Sequence, residues 1–287
     1  MSGLRLSPEE FDLIRNLVRK ECGIAVGDEK AYLVETRLTS LVKEVGCDSF
    51  RTFYEFVSRA TNREIRDRMI DAMTTNETLW FRDDGPWEIL RTQLIPEFFE
   101  MLKSGSRRTI RIWSAASSTG QEPYSVAMSI LQAIDDLKDP SIKDEQFEIF
   151  GTDLSPSALF VANSGRYDPM SISRGLDPAS KEKFFDQVGG VHSVGERVRS
   201  RVTFKRYNLM DSFAEFGRFD LVLCRNVLIY FAPELKRDIV ERIANTLHDD
   251  GCFIVGASES LQGCLHRYTM QMCEGQIYYR RKPGGEA

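Results

Sequence analysis

The stretch TIRIWSAASSTGQEPYSVAM (109–128) decides the fold class. It begins as an apolar, β-rich run over 109–116, continues through a polar loop with one glycine, Gly120, and enters a helical pattern near Pro123. Four more β-rich runs follow along the chain: FEIFGTDL (147–154), FDLVLCRN (219–226), CFIVGASE (252–259) and QIYYRRK (276–282). Helical stretches that begin near Pro123, Pro156 and Pro233 separate them. This alternation predicts an α/β fold with a mostly parallel sheet covered on both faces.

Two parts of the chain depart from that alternation. The last strand follows its predecessor with little room for a helix, so we expect it to be antiparallel. The segment 166–202 is rich in glycine, serine and charge, and we interpret it as an inserted subdomain.

The first 75 residues have the pattern of short helices. Ser7-Pro8-Glu9-Glu10 is a strong helix start, with a cap, a first-turn proline and two acids. Helices are predicted over 8–22, 28–45, 49–60 and 62–73. Their apolar stripes are Phe11, Ile14, Leu17 and Val18 in the first, Leu33, Leu38, Leu41 and Val42 in the second, and Ile65, Met69, Ile70 and Met73 in the last. The pattern predicts a small all-helical domain.

Composition narrows the functional classes. A length of 287 residues allows two domains, and the net charge of −5 argues against a general nucleic-acid binder. The six cysteines form no CxxC pair, so we expect reduced, mostly buried thiols and no metal site. No signal peptide or membrane-length apolar run is present, which predicts a cytoplasmic protein without membrane insertion. The tail PGGEA (283–287) has the composition of a disordered segment.

Polar residues cluster where the predicted strands end. Ligands of open α/β sheets bind at the carboxyl ends of strands, and the loop 117–124, Asp153 and Arg225-Asn226 all fall there. Asn208-Leu209 precedes the third strand. An acid such as Asp153 can accept hydrogen bonds from both ribose hydroxyls of an adenosine cofactor. The alternative role, a cap for the helix near Pro156, is one that Ser155 can fill instead.

The loop chemistry points away from phosphate-bearing cofactors. A dinucleotide fingerprint needs three glycines and this loop has one, while the GxxxxGK[ST] motif of triphosphate binders is absent. An adenosine cofactor without phosphates fits better. Glu122 is then a candidate partner for an ammonium group of the cofactor, although interaction with the helix dipole explains its position equally well.

The turn NETLWFRD (76–83) lies between the two predicted domains. It places Asn, Thr, Arg and Asp side chains around Trp80 and Phe81. This mixture favours a wall of a cleft between the domains over the alternative, a linker with an aromatic anchor.

Six ordered motifs together resemble the chemotaxis-receptor methyltransferases, the CheR family. The motifs are NETLWFRD, SAASSTGQEPYSVAM, FGTDLS, GRYD, YNLMD and FDLVLCRNVLIYF. The resemblance implies a Rossmann-like S-adenosylmethionine (SAM)-dependent methyltransferase domain over 86–287, with a small β-subdomain inserted at 166–202. It also implies a receptor-recognition helical domain over 1–75 and a linker at 76–85 that contributes to the cofactor site.

The resemblance also implies which residues act. The cofactor contacts are Asn76, Thr78, Arg82, Glu122, Asp153, Asn208, Leu209, Arg225 and Asn226. Arg82 and Tyr230 then lie near the methyl-transfer site, although Tyr230 also suits a core aromatic. The cofactor is SAM, its product is S-adenosylhomocysteine, and no metal is involved.

The implied activity is that of a protein-glutamate O-methyltransferase on the cytoplasmic methylation helices of chemoreceptors, with recruitment to membrane receptor arrays. A glutamate carboxylate is ionised at neutral pH, with a pKa of ~4.3, so no general base is needed. Two alternatives remain open: a methyltransferase with another substrate, and a non-catalytic cofactor-binding adaptor.

Receptor contact is assigned by the resemblance to the second helix, where Lys30, Arg37 and Lys43 match basic positions. Ala31, Ser40 and Leu41 stand where better-known members carry more arginines, so the resemblance does not extend to receptor preference. Near 189–195 the inserted segment is shorter than in members that dock a receptor C-terminal pentapeptide, and we expect no such tether.

Overall fold

The computed structural model of the chain describes residues 4–261 and 263–283. These divide into two compact units, one formed by the chain up to Thr75 with 229–236, and one formed by 76–228 with the chain from Arg237 onward. Disorder is predicted for the tail 283–287, of which 284–287 lie outside the described residues. The predicted domain boundaries stay a prediction, and the structure groups 229–236 with the helical unit.

The first unit is built from four helices, as the sequence predicts. They are α1 (Pro8–Cys22), α2 (Ala31–Glu44), α3 (Phe50–Val57) and α4 (Arg63–Met73), with 3₁₀ turns at Asp28–Lys30 and Ala60–Asn62. Ser7 and Glu10 form a reciprocal capping box at the start of α1, and Gly23 ends it in a left-handed conformation. The capping box supplies acceptors for the amides of Ser7 and Glu10, and the amide of Gly23 donates to the carbonyl of Arg19.

Two details of the helical stripes differ from the prediction. In the first turn of α2 the buried residue is Val34, while the predicted Leu33 is only half-buried. In α4 Met69, Ile70 and Met73 are buried, but Ile65 is half-buried. The helical period was right, and in each helix three of the four predicted residues are buried.

The segment 229–236 joins this unit through backbone pairing. Ile24 and Phe231 form an isolated antiparallel bridge. The amide of Ala25 donates to the carbonyl of Tyr230 across 2.8 Å. The helical unit is therefore assembled from two stretches that are far apart in the sequence.

The second unit contains a seven-stranded sheet and a three-stranded sheet. In chain order the strands are β1 (Ile110–Ala115), β2 (Phe147–Asp153), β3 (Arg166–Tyr167), β4 (Phe185–Val188), β5 (Val191–Val194), β6 (Val202–Arg206), β7 (Phe219–Cys224), β8 (Leu247–Val255), β9 (Tyr268–Cys273) and β10 (Gln276–Arg281). The large sheet has the order β6-β2-β1-β7-β8-β10-β9. The first five of these are parallel, and β10 pairs antiparallel with both β8 and β9. The antiparallel last strand is thus confirmed.

Helices accompany both sheets. They are α5 (Asp84–Ile89), a π-helical segment Leu90–Leu94, α6 (Ile95–Lys103), α7 (Gln121–Leu137), α8 (Pro156–Ser164), α9 (Pro169–Ser173), α10 (Pro178–Phe184), α11 (Glu196–Arg199) and α12 (Pro233–Thr246). Short 3₁₀ turns lie at Asp144–Gln146, Phe213–Phe216 and Leu228–Tyr230. The predicted helices near Pro123, Pro156 and Pro233 correspond to α7, α8 and α12. The sequence analysis did not predict the helices over 84–103 or the strands β6 and β9.

The inserted segment forms the small antiparallel sheet, with the order β3-β5-β4. Its strands pair as Arg166 with Ser193 and Phe185 with Val194, and α9, α10 and α11 accompany them. The predicted fold class, a Rossmann-like domain with a helical N-terminal domain and an inserted β-subdomain, is confirmed. Within the described parts of the chain, no helix is both long and apolar enough to cross a membrane.

Candidate cofactor-binding site

The strand order creates a crevice beside β1. The chain runs from β1 to β2 on one side, while β7 pairs with β1 on the other. At such a reversal the connecting helices lie on opposite faces, which opens a crevice at the carboxyl ends of the strands. Glu122 lies in the first turn of α7 beyond β1, Asp153 ends β2 and Arg225 follows β7, so the sheet brings these three predicted residues to one edge.

The loop after β1 has a tightly wound backbone. Ala116 and Ser118 both adopt left-handed conformations, with φ of 60° and 50°, and Gly120 has φ of 95°. Left-handed backbone costs a non-glycine residue about 1–3 kcal/mol, and such strain concentrates at ligand sites. A Cβ on Gly120 would lie 2.9 Å from Cβ of Ala162. The single glycine is therefore explained by its own φ and by close packing on α8.

Asp153 is fixed at the end of β2 by backbone donors. Its Oδ2 accepts from the amide of Ser118 across 2.8 Å, and its Oδ1 accepts from the amide of Ser155 across 2.9 Å. Hydrogen bonds of this kind stabilise the ionised carboxylate. The cap of α8 is Ser155, whose Oγ accepts from the amide of Ala158. Asp153 is thus not the cap of that helix, and it holds the β1 loop against the end of β2.

The turn 76–83 is attached to the same loops by Asn76. The side chain of Asn76 donates to Oγ of Ser155 across 3.1 Å, and its backbone carbonyl accepts from Oγ of Ser118 across 2.9 Å. The predicted association of this turn with the strand-end loops is therefore present within the second unit. Thr78, two residues on, is half-buried.

Trp80 serves the turn as an anchor. Its ring is 1% exposed and meets Tyr167 and Phe185 edge to face, at centroid distances of 4.9 and 5.2 Å. Its amide donates to the carbonyl of Arg174. The aromatic-anchor alternative is correct for Trp80, which packs on the inserted subdomain, whereas the role of the polar residues as a cleft wall stays a prediction.

Arg225 is the centre of a buried polar network. Its side chain is 1% exposed, and its guanidinium donates to Oε2 of Glu122 and to Oδ2 of Asp83, both across 2.9 Å. It also donates to the carbonyl of Arg82 across 2.6 Å and lies over the ring of Trp87. These contacts join the loop after β7, the start of α7 and the turn 76–83. The planar guanidinium of an arginine presents several donors and can make these contacts at the same time, whereas the ammonium of a lysine cannot.

Glu122 gains its partners from this network. One carboxylate oxygen accepts from Arg225, and the other accepts from Oγ of Ser114 across 2.7 Å. The residue stands in the first turn of α7, where the helix dipole also favours an acid. Neither sequence interpretation of Glu122 included the ion pair with Arg225.

Arg82 is half-buried and contributes its backbone to the network. Its carbonyl accepts from Arg225 and from Nε1 of Trp87, the latter across 3.0 Å. Its guanidinium donates to the carbonyl of Glu77 across 3.1 Å. The backbone of the turn is therefore held firmly, while the described hydrogen bond of the Arg82 side chain is local.

The sequence analysis missed Glu259 as a site residue. Its buried carboxylate accepts from the amides of Asn226 (2.7 Å), Val227 (3.1 Å) and Gly256 (2.8 Å). Asn226 is left-handed, with φ of 58°. Glu259 therefore sets the conformation of the loop that carries the predicted cofactor residue Asn226. The available signal was its place directly after an apolar strand, at the end of CFIVGASE.

Asn208 and Leu209 lie on the segment after β6. The amide of Tyr207 donates to the carbonyl of Asp153 across 2.9 Å, which brings this segment to the end of β2. Oδ1 of Asn208 accepts from the amide of Met210. The carbonyl of the buried Leu209 accepts from the guanidinium of Arg242. The pair thus neighbours Asp153, as a shared cofactor site requires.

Comparison with known families agrees with this geometry. Residues 9–74 match the family model described as CheR methyltransferase, all-alpha domain, and residues 76–278 match CheR methyltransferase, SAM binding domain. The chain belongs to the CheR methyltransferase family. Its expected family membership, its methyltransferase class and its SAM-binding domain are thereby confirmed.

Curated relatives of this CheR chain match over nearly its full length. Chemotaxis protein methyltransferase 1 of Pseudomonas aeruginosa is 44% identical over 278 residues, which cover 95% of this chain and 98% of that protein. The chemotaxis protein methyltransferase of Vibrio parahaemolyticus is 41% identical and covers 98% of this chain and 100% of its own. The Salmonella typhimurium protein of the same name is 30% identical, over 96% of this chain and 91% of its own.

The donor set of this CheR protein fits SAM. SAM carries an ammonium, a sulfonium and a ribose but no phosphate, so it calls for acceptor side chains and not for an amide-lined phosphate cradle. Two carboxylates, Glu122 and Asp153, stand at neighbouring strand ends. Among the described residues no group of three or more His, Cys, Asp or Glu side chains is arranged to hold a metal ion. All six cysteines are free thiols.

The remaining predicted residues of this CheR chain lie in the helical unit. Tyr230 is half-buried and belongs there through its pairing with Ala25. Lys30 and Lys43 are exposed, whereas Arg37 donates to the carbonyls of Met73 and Thr74 and to Oγ1 of Thr75. Arg37 thus satisfies the end of α4, a structural role that the sequence analysis did not foresee.

Proposed function

We propose that this CheR methyltransferase transfers a methyl group from SAM to glutamate side chains of chemoreceptors, forming methyl esters for sensory adaptation. The observation that carries the proposal is the Arg225 network, which ties the turn 76–83 to the start of α7. The names of the curated relatives, chemotaxis protein methyltransferases, support the class of substrate.

The proposal gives each strand-end residue a part in cofactor binding. Asp153 accepts from the ribose hydroxyls and Glu122 pairs with the ammonium, while Asn208-Leu209 borders the adenine. The backbone donors that fix the Asp153 carboxylate and the position of Glu122 in the first turn of α7 support these assignments. The remaining cofactor contacts are Asn76, Thr78, Arg82, Arg225 and Asn226.

The reaction asks little of the protein in acid–base terms. SAM supplies an already activated methyl group on its sulfonium. The glutamate oxygen is ionised at neutral pH, so the protein has only to align it and to exclude water. We assign Arg82 and Tyr230 to the transfer site. Arg82 must hold the carboxylate loosely, because the ester product is neutral and tight binding of the charged substrate would slow the step.

Receptor recognition is assigned to the helical unit. The exposed Lys30 and Lys43 are proposed to meet acidic positions of the receptor's methylation helices in the cytoplasm, where the enzyme joins the receptor arrays. Arg37 contributes its positive charge at a distance, because its guanidinium already donates to carbonyls at the end of α4. We propose that no pentapeptide tether is used, and saturable binding of a receptor C-terminal pentapeptide to the purified protein would count against this.

The test is methyl transfer from labelled SAM to receptor-containing membranes. Alkali-labile label on the receptor, mapped to glutamates, is the expected result. Label on a different molecule would replace the substrate assignment. SAM binding without transfer to any receptor would indicate an adaptor and overturn the proposed activity. The Asp153→Ala variant serves as the control that separates cofactor-dependent label from background.

A further inference from the structure

A pocket in the second unit is bordered by Phe81 of the turn 76–83. Its volume is about 710 Å³, and it is bounded by α6, α7 and the segment 175–184 of the inserted subdomain. The apolar part of its wall includes Ile95, Phe99, Met128, Leu137 and Phe184. The pocket shares none of its described lining residues with the proposed SAM contacts. Its volume lies within the range of about 300–1,000 Å³ that is typical of small-molecule sites.

The charged side chains of this pocket leave an excess of negative charge. Arg91 and Lys103 are neutralised by Glu88 and Asp139, at 2.9 and 3.0 Å. The carboxylates of the pocket are Glu100, Asp136 and Asp177, and none of them forms an ion pair with a described residue. Ser180 donates its amide and hydroxyl to Asp177, and these bonds keep the pKa of that carboxyl below its ordinary value. The rim is therefore anionic at neutral pH.

We propose that this pocket binds a small amphiphilic cation, with an aromatic or alkyl body and an ammonium group. The apolar wall removes the body from water, which is favourable in proportion to the area buried. The ammonium is left beside Glu100 and Asp136 at the exposed rim, where an attraction across water is modest but selects the sign of charge. An anionic ligand of the same shape meets the same carboxylates and is repelled.

The first experiment compares two probes with one ring system and opposite charge. Isothermal titration of the full-length protein with 2-(1-naphthyl)ethylamine is expected to show saturable binding at one site. Binding of 1-naphthaleneacetate is expected to be at least about ten-fold weaker. Equal affinity for both probes, or no binding of the amine, would overturn the proposal.

Variants then locate the binding. Ala133 lines the pocket, and Ala133→Trp fills it, so the amine should bind at least about ten-fold more weakly. The pair Glu100→Gln and Asp136→Asn should weaken the amine about five-fold, with a smaller effect at high salt. Glu145→Gln removes an exposed acid outside the pocket and is the matched control, with affinity unchanged. Full affinity in the charge-neutralised variant would contradict the assignment even if Ala133→Trp fails to fold.

Discussion

Nη1 of Arg225 lies 2.9 Å from Oε2 of Glu122, and only 1% of the Arg225 side chain is exposed. The pair joins the residue after β7 to the first turn of α7, so two of the three loops at the crevice share one ion pair. Its second contact, to Asp83, brings in the turn 76–83. The loops are therefore coupled to one another before any cofactor binds.

Removing the guanidinium should leave a buried carboxylate without its partner. For Arg225→Met we expect a loss of about 3–5 kcal/mol in the free energy of unfolding, measured by urea denaturation. The double variant with Glu122→Gln should recover part of that loss. Arg225→Lys keeps the positive charge but loses the planar guanidinium. This variant should fold, and its affinity for SAM should be lower. If the free energy of unfolding of Arg225→Met falls by less than about 1 kcal/mol, water takes the place of the guanidinium beside Glu122.

Asp153 should matter for SAM affinity beyond its structural bonds. Asp153→Ala removes a charged acceptor, whose hydrogen bonds are worth about 1.5–3 kcal/mol, so the SAM dissociation constant should rise at least about ten-fold. Asp168→Ala, which removes the aspartate cap of α9, is the matched control and should cost about 1 kcal/mol of stability with little change in affinity. Unchanged SAM affinity in Asp153→Ala would refute the ribose assignment.

Glu259 should act as a positioning residue for Asn226. In Glu259→Gln an NH₂ group faces backbone amides that now lack an acceptor, so the loop after β7 should shift. We expect the KM for SAM to rise several-fold while kcat changes less, and the melting temperature to fall. Glu274→Gln, at an exposed position, is the control. A lower melting temperature with no change in KM would make Glu259 purely structural.

Arg82 should affect turnover more than folding. Its guanidinium makes a single described contact, to the carbonyl of Glu77, while the network uses its backbone. Arg82→Ala should therefore keep the free energy of unfolding within about 1 kcal/mol and lower the rate of receptor methylation at least ten-fold. A variant that is equally destabilised and impaired would assign Arg82 to the fold alone.

The buried thiols should be inert until the pH is high. Burial disfavours the thiolate and raises the pKa of Cys22 to about 11 and of Cys252 to about 12, from an ordinary 9.0. In the folded protein, the half-buried Cys47 and Cys273 should react first with a thiol reagent. Because the unfolded thiols ionise at lower pH, the free energy of unfolding should decline as pH rises above about 9. Early labelling of Cys252 would contradict this.

Much of the fold could be predicted because its signals are local. The capping box at Ser7, the prolines of α8 and α12, and the apolar runs of β1, β2 and β7 are each visible in a window of a few residues. In β7 all six residues are buried and five of them are apolar, while the buried Asp220 pairs with Arg107, so the run has a clear strand pattern. By contrast β6 alternates exposed and half-buried residues at a sheet edge, and β9 exposes Met270 and Met272, so neither has a clear pattern.

The site was predictable as a set of residues but not as a set of contacts. Asp153, Glu122 and Arg225 follow predicted strands, which is enough to place them at one edge. Their partners depend on which loops the fold brings together, and the sequence separation between Arg225 and Asp83 is 142 positions. For the same reason the partners of the aromatic anchor Trp80, on β3 and β4, were not foreseen, nor was Glu259 as a support for Asn226.

The pairing of Ile24 with Phe231 has a consequence for the order in which the protein is made. The helices α1 to α4 leave the ribosome long before residues 229–236 are synthesised, yet the helical unit includes that stretch. The unit therefore cannot be completed until most of the chain has emerged. A gene fragment that stops at residue 75 would yield helices with an open backbone edge at Ile24 and Ala25. Adding a linked copy of 229–236 should raise the stability of that fragment.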